Sequence, residues 1–394
     1  MKVISTLKGL PFLSLAYLFF ILGIFFFSFT QVDLGLTLTR ASIFTDIQRA
    51  FQSIGYFQRP LSAGLFVTGI LLFTLFYTLF IKYVKEGILS RRILWTTIII
   101  STLILTFSYN LLSHDIFNYI FDAKIVTYYG ENPYEHKALD YPSDPMLSFM
   151  HWTHRTYPYG PVWLGLTVPI SFLGLHYFLP TFFLFKILMA LGFLLTAYSI
   201  EKILMITHKK YALLGLTLFA FNPLIIMESL VSAHNDIVMM AFALYGILLF
   251  IQNKHTLSFF ALLFSIGIKY ATGFLAPLLA VIFFFKRKKI AIPWDPIFEV
   301  FVVTMICAVI AASLRTNFQP WYLLYVLPFL ALVSHRSYAK ISFILLSLLG
   351  LLNYVPYLYT GNWDPPIPYF LLLFNSIVGF GILVSSLFLR LVKK

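Results

Sequence analysis

Apolar residues in this chain come in long unbroken runs separated by short polar segments, not as one stripe of an amphipathic helix. About 20 apolar residues are needed to cross a bilayer. Runs near 10–29, 61–84, 93–112, 180–205, 211–229, 235–252, 256–269, 271–286, 291–314, 321–334, 340–356 and 369–390 therefore predict membrane helices. The expected fold is an all-α polytopic membrane protein of about 12 transmembrane helices, one integral membrane domain over 1–394. Runs 256–269 and 271–286 are short for a crossing and read equally as a re-entrant hairpin, so 10 to 13 helices fit the same pattern. The first run follows Lys2 and Lys8, is longer than a signal h-region and lacks a small-x-small cleavage site, which predicts a retained helix. The sequence shows no internal repeat.

One segment departs from this alternation. The stretch from Val162 to Leu173 is too short to cross, starts after Pro161 and contains Pro169, so it predicts a juxtamembrane helix along the outer leaflet. That leaves 113–178 as one long outer segment, where a few residues between helices are the norm. The chain then divides into an N-terminal helical hairpin over 1–92, this outer loop at 113–178, and the remaining membrane helices over 179–394.

Composition and charge sharpen the picture. Apolar residues make up 60% and charged ones 11%, against about 25% charged in soluble proteins; a soluble enzyme and a disordered chain are both excluded. A net charge of +13 invites a nucleic-acid partner, but Lys286-Arg287-Lys288-Lys289, Arg91-Arg92, Lys209-Lys210 and Lys393-Lys394 all sit at the ends of apolar runs. With both termini inside, the cytoplasmic side collects 19 Lys/Arg and 4 Asp/Glu, and the outer side 8 and 11. This is the positive-inside pattern, and the partners are membrane lipids and no nucleic acid. It predicts a plasma (inner) membrane protein whose polar loop faces the extracytoplasmic side. Cys307 stands alone in an apolar run, so the chain has no internal disulfide.

The outer segment opens with Ser113-His114-Asp115-Ile116-Phe117-Asn118-Tyr119 and continues through Asp122, Asn132-Pro133-Tyr134, His154-Arg155 and Tyr157-Pro158-Tyr159-Gly160-Pro161. Turn formation by Asn-Pro and Tyr-Pro and interfacial aromatic belts account for much of this. Asp115 is different, because a carboxylate held near the headgroups is costly unless paired or used. His234-Asn235-Asp236, Lys269, and Arg315 with Gln319-Pro320-Trp321 fall on the same outer side. Together these residues suggest an outer-leaflet polar site. The sequence has no Gly-rich phosphate loop, Asp-x-Asp or His-Glu-x-x-His, so a lipid-bound phosphate donor suits the site better than a soluble nucleotide. Arg and Lys would meet that phosphate. His114, Asp115, Asp122, His234 and Asp236 are metal-ligating types, but their spacing does not show convergence; no metal or cofactor is assigned. A transporter or lipid flippase is the competing class, and it would favour repeats and a midplane site.

The run His114-Asp115-Ile116-Phe117-Asn118-Tyr119, then Gly130-Glu131-Asn132-Pro133-Tyr134 and Tyr157-Pro158-Tyr159-Gly160-Pro161, resembles the first outer loop of polyprenyl-phosphate-sugar-dependent glycosyltransferases of the GT-C fold. It is most similar to the bacterial mannosyltransferases and the first mannosyltransferase of GPI-anchor assembly. Asn222-Pro223 with His234-Asn235-Asp236, and Gln319-Pro320-Trp321-Tyr322, resemble further stretches of the bacterial members, so the similarity runs from about 113 to 325. In the family the acidic residue usually follows the first helix; here it follows the third, which implies an added N-terminal hairpin. The resemblance implies inverting transfer of a hexose, mannose above all, from a polyprenyl-phosphate donor to a lipid-linked or glycan acceptor. Asp115 would be the general base, and Lys269 and Arg315 would stabilise the phosphate. Asp122 would orient the sugar or acceptor, or else pair with Lys124 or Arg155. His114, Asn118, Tyr119, Asn132, Tyr134, His154, Arg155, Tyr157, Tyr159, His234, Asn235, Asp236, Gln319 and Trp321 complete the expected substrate-binding set.

Overall fold

A computed structural model describes residues 11–36, 38–39 and 41–392; Lys2 and Lys8 lie outside the described residues. The described chain is all-α. Its helices are α1 Phe12–Phe27, α2 Ser42–Phe57, α3 Arg59–Lys85, α4 Arg91–Thr106, α5 Asp115–Lys124, α6 Pro161–Leu173, α7 Phe178–Thr207, α8 Ala212–Ala220, α9 Pro223–Ile226, α10 Asp236–Ile251, α11 His255–Ile268, α12 Ala276–Arg287, α13 Trp294–Thr316, α14 Leu327–Leu332, α15 Ser337–Leu352, α16 Val355–Thr360 and α17 Ile367–Val392. Each of the twelve apolar runs carries helix. Among the described residues, seven helical segments are long and apolar enough to cross a membrane, and the bent pair Lys209–Ala220 and Pro223–Val231 makes an eighth. The helices over 236–251, 255–268 and 320–332 are apolar but shorter.

Helix α10 is buried along nearly its whole length, packed between α7 and α11. Such a helix is apolar all round because protein, not water or lipid, surrounds it. Two charged groups of α7 are tied down. Glu201 accepts from Arg91 Nε at 2.6 Å and Nη2 at 2.9 Å, and from Trp95 Nε1 at 3.1 Å. Lys186, buried in mid-helix, donates to the carbonyls of Leu230 and of Val231 (3.0 Å) and to Ser108 Oγ at 3.2 Å.

Those carbonyls belong to a break in the α8–α9 span. Pro223 starts a new helix, the Asn222 side chain accepts from the Ile225 N–H at 3.0 Å, and the axis bends by 56°. A π-helical turn over Met227–Val231 follows, and such wide turns are frequent at functional sites. It directs Glu228 inward to full burial.

The segments over 30–60 and 113–178 differ from the expectation of simple loops. Helix α2 falls where no apolar run predicts one, because its buried face is built from glutamines. Gln48 Nε2 donates to the Leu36 carbonyl at 2.7 Å, and Gln52 Nε2 to those of Val32 and Asp33 at 3.0 and 3.1 Å. Gly55 lets the helix close on the preceding turn, since a Cβ there would stand 1.8 Å from the Thr30 carbonyl oxygen. The 113–178 segment folds into α5, a π turn at Ile125–Tyr129, two short 3₁₀ turns and helix α6, too short to cross a membrane.

Candidate active site

Asp115 is the first residue of α5. Its N–H is taken by Ser113 Oγ at 3.2 Å, and its carboxylate lies at the positive end of the helix dipole. Only 9% of the residue is exposed. Oδ1 accepts from the indole of Trp152 at 3.0 Å, and Oδ2 stands 3.5 Å from His234 Nδ1. Burial pushes the Asp115 pKa up, but His234, Lys269 and Trp152 more than reverse this and hold it below the usual carboxylate range. Asp115 is therefore ionised at neutral pH.

The loop after α5 folds back over this carboxylate. Asn118 Nδ2 donates to the Trp152 carbonyl at 3.0 Å, and the Arg155 guanidinium lies 4.3 Å above the Trp152 ring. Arg155 and His154 are exposed on the loop's outer side. Tyr119 places its hydroxyl 3.4 Å from Asn235 Oδ1 and its ring edge-on to Tyr159 and Trp163.

Asp122, two turns along α5, is buried as well. Lys124 pairs instead with Asp144, and Arg155 covers Trp152. With no cation paired to it among the described residues, burial pushes the Asp122 carboxyl well above the usual range.

On the opposite wall, His234 stacks on Trp321 with ring centroids 4.1 Å apart. Its Nε2 stands 3.2 Å from Glu228 Oε2. Lys269 lies 2.7 Å from Asp236 Oδ1 and over the rings of Tyr322 and Tyr325. It is thus committed to a carboxylate, although its charge still reaches Asp115.

His114, Asp115, Gln319 and Trp321 line one end of a cleft of about 1000 Å³, together with His151, Trp152 and Tyr354. From there the cleft follows α13 past Ile310, Ile306 and Val302 to Glu299, between α13, α15 and α17. Its walls are otherwise largely apolar. It is open along its flank, because the lining residues Leu314, Phe380 and Leu372 are 85%, 69% and 62% exposed.

Other expected residues stand elsewhere. Tyr134, Tyr157 and Tyr159 pack on one another and frame the loop, and Tyr157 donates to the Gly160 carbonyl at 3.0 Å. The Asn132 side chain closes the Asn-Pro turn by accepting from Tyr134 N–H and donating to Glu135. Arg315 is exposed at the end of α13 and does not line the cleft. Trp152 and Tyr354 were not expected; nothing in their local sequence distinguishes them. Glu228 carried one signal, a lone acid in an apolar run. Among the described residues no three His, Cys, Asp or Glu side chains are grouped to hold a metal ion.

Residues 21–285 match the family model described as alpha-(1->6)-mannopyranosyltransferase, N-terminal domain. No curated protein matches, and no solved structure does. The matched region begins within α1 and takes in Asp115, the 113–178 segment, His234–Asp236 and Lys269.

Proposed function

The chain belongs to this α-(1→6)-mannopyranosyltransferase family and is a membrane-integral mannosyltransferase of the GT-C type, and on that premise we propose a donor, a face and a base for its reaction. Mannose moves from a polyprenyl-phosphate donor to a hydroxyl of a lipid-linked or glycan acceptor, at the extracytoplasmic face of the plasma membrane. Asp115 takes the acceptor proton as that oxygen attacks the anomeric carbon. The bond from the anomeric carbon to the phosphate oxygen breaks with its electron pair staying on the phosphate, so the leaving group needs no acid. Attack from the opposite face inverts the configuration. An α product then calls for a β-linked sugar phosphate.

The observation that carries this reading is a nearly buried carboxylate, held by Trp152 and facing His234, at the polar end of an apolar cleft. An isoprenoid chain suits such walls, and the carboxylate then meets the headgroup. A positioned general base supplies about 10²–10⁴ in rate. The basic excess on the opposite side supports the outward orientation. Asp122 is a candidate partner for a sugar hydroxyl, and Arg155, which lies over Trp152 and is in no ion pair among the described residues, is a candidate for contact with the phosphate.

The test is transfer by the purified protein in lipid nanodiscs, with radiolabelled polyprenyl-phosphate-mannose and an alkyl α-mannoside. Labelled disaccharide with an inverted linkage is expected, together with a loss of at least about 100-fold in Asp115→Asn. Wild-type rates in Asp115→Asn would overturn the assignment of the base. Transfer from a nucleotide-mannose alone would overturn that of the donor.

A further inference from the structure

Glu228 is fully buried (0% exposed), and no step above uses it. Its oxygens have separate partners: Oε1 accepts from the Tyr354 hydroxyl at 2.8 Å, and Oε2 faces His234 Nε2 at 3.2 Å. The other nitrogen of that imidazole faces Asp115. Asp115, His234, Glu228 and Tyr354 thus form a single file of contacts whose two ends, Asp115 and Tyr354, both line the cleft. The file joins α5, the loop before α10, the π turn and the turn between α15 and α16.

Charge balance gives the file its meaning. Asp115, Glu228 and Asp236 face His234 and Lys269, which leaves one negative charge in excess while the imidazole is protonated. Uptake of one proton by Asp115 makes the group neutral. Among the described residues His234 is the one cation in contact with Glu228, and a carboxylate at that depth without a cation would be strongly unfavourable. The ring has little freedom to leave, because it is stacked on Trp321.

We infer that Glu228 is a positioning residue of the transfer reaction, which acts through His234 to keep Asp115 oriented and ionised without touching substrate. This rests on the reading of Asp115 as the base. No proton passes along the file: the acceptor proton stays on Asp115, and the imidazolium–Glu228 pair persists through the step.

The groups that face His234 are Asp115 from α5 and Glu228 from the π turn. Asp236, Lys269, Tyr119 and, through Glu228, Tyr354 lie beyond them. Burial alone would pull the imidazole pKa down, but the two carboxylates reverse this and hold it at about 9. Above that value a neutral ring leaves a second uncompensated negative charge beside the departing phosphate.

The experiment is the pH–rate profile in the same nanodisc assay for wild type, Glu228→Gln, Glu228→Asp, His234→Gln, the double variant Glu228→Gln/His234→Gln and Asp115→Asn. In Glu228→Gln the alkaline limb is expected to move down by about one pH unit or more. Its loss in kcat should be largest, about 10-fold or more, on the alkaline side and shrink towards acid pH, with KM little changed. Glu228→Asp is expected to fall between Glu228→Gln and wild type. The double variant is expected to lose no more than His234→Gln alone, because the contact from Glu228 to Asp115 runs through that ring. A Glu228→Gln loss that is uniform across pH, or that adds to the His234→Gln loss, would overturn the inference. An active Asp115→Asn would instead overturn the reading of the base. Thermal unfolding of each variant separates these outcomes from misfolding.

Discussion

The indole N–H of Trp152 donates to Asp115 Oδ1 across 3.0 Å, from 37 residues further along the chain. The same tryptophan receives Asn118 on its carbonyl and Arg155 on its ring face. One residue of the 113–178 segment therefore joins the carboxylate to both α5 and the loop.

Trp152→Phe keeps most of the packing and deletes the donor. A hydrogen bond to a charged group is worth about 1.5–3 kcal/mol, so kcat is expected to fall by about 10- to 100-fold, with a smaller change in KM. Steady-state kinetics on the purified variant check this. A rate within about twofold of wild type would mean that the indole does not orient the base.

His234 predicts how stability follows pH. Its folded pKa of about 9 lies above the ordinary value of 6.5. The contribution to stability is therefore complete below the ordinary value and disappears as pH rises through about 9. The size is on the order of 3 kcal/mol. Unfolding temperature in detergent should decline across that window in wild type and much less in His234→Gln.

Lys186→Met removes the amine that donates to the Leu230 and Val231 carbonyls. Each buried carbonyl left without a donor costs about 1–3 kcal/mol. A lower unfolding temperature is expected, together with faster proteolysis at the Ser232–Asn235 loop. If only stability changes and residual kcat per folded molecule is intact, the amine supports the span without tuning the site.

Hydropathy made the membrane helices legible, because a bilayer demands long apolar runs whatever the tertiary contacts. It could not reveal α2, whose buried face is made by Gln48 and Gln52 bonding to backbone carbonyls. Asp115 could be read from its position at a helix end. Glu228 could not be joined to it, since their meeting depends on the bend at Asn222-Pro223 and the π turn, and neither follows from residue type. The contact of Lys269 with Asp236, a pairing of residues 33 apart, depends on how α10 and α11 pack and could not be read from the sequence. The loop tyrosines follow the turn-forming reading of Asn132-Pro133 and Tyr157-Pro158 more than a substrate-contacting one.

The exposed flank of the cleft, with Leu314, Leu372 and Phe380 on its rim, sets the units in which a lipid substrate would be counted. A molecule that enters sideways from the bilayer arrives by two-dimensional diffusion, so its working concentration is a mole fraction of the surrounding lipid and not an amount per litre. Adding inert phospholipid at constant total donor should then slow the enzyme in proportion, as measured by initial rates in vesicles of increasing lipid content. A rate indifferent to that dilution would mean that the donor reaches Asp115 from the water.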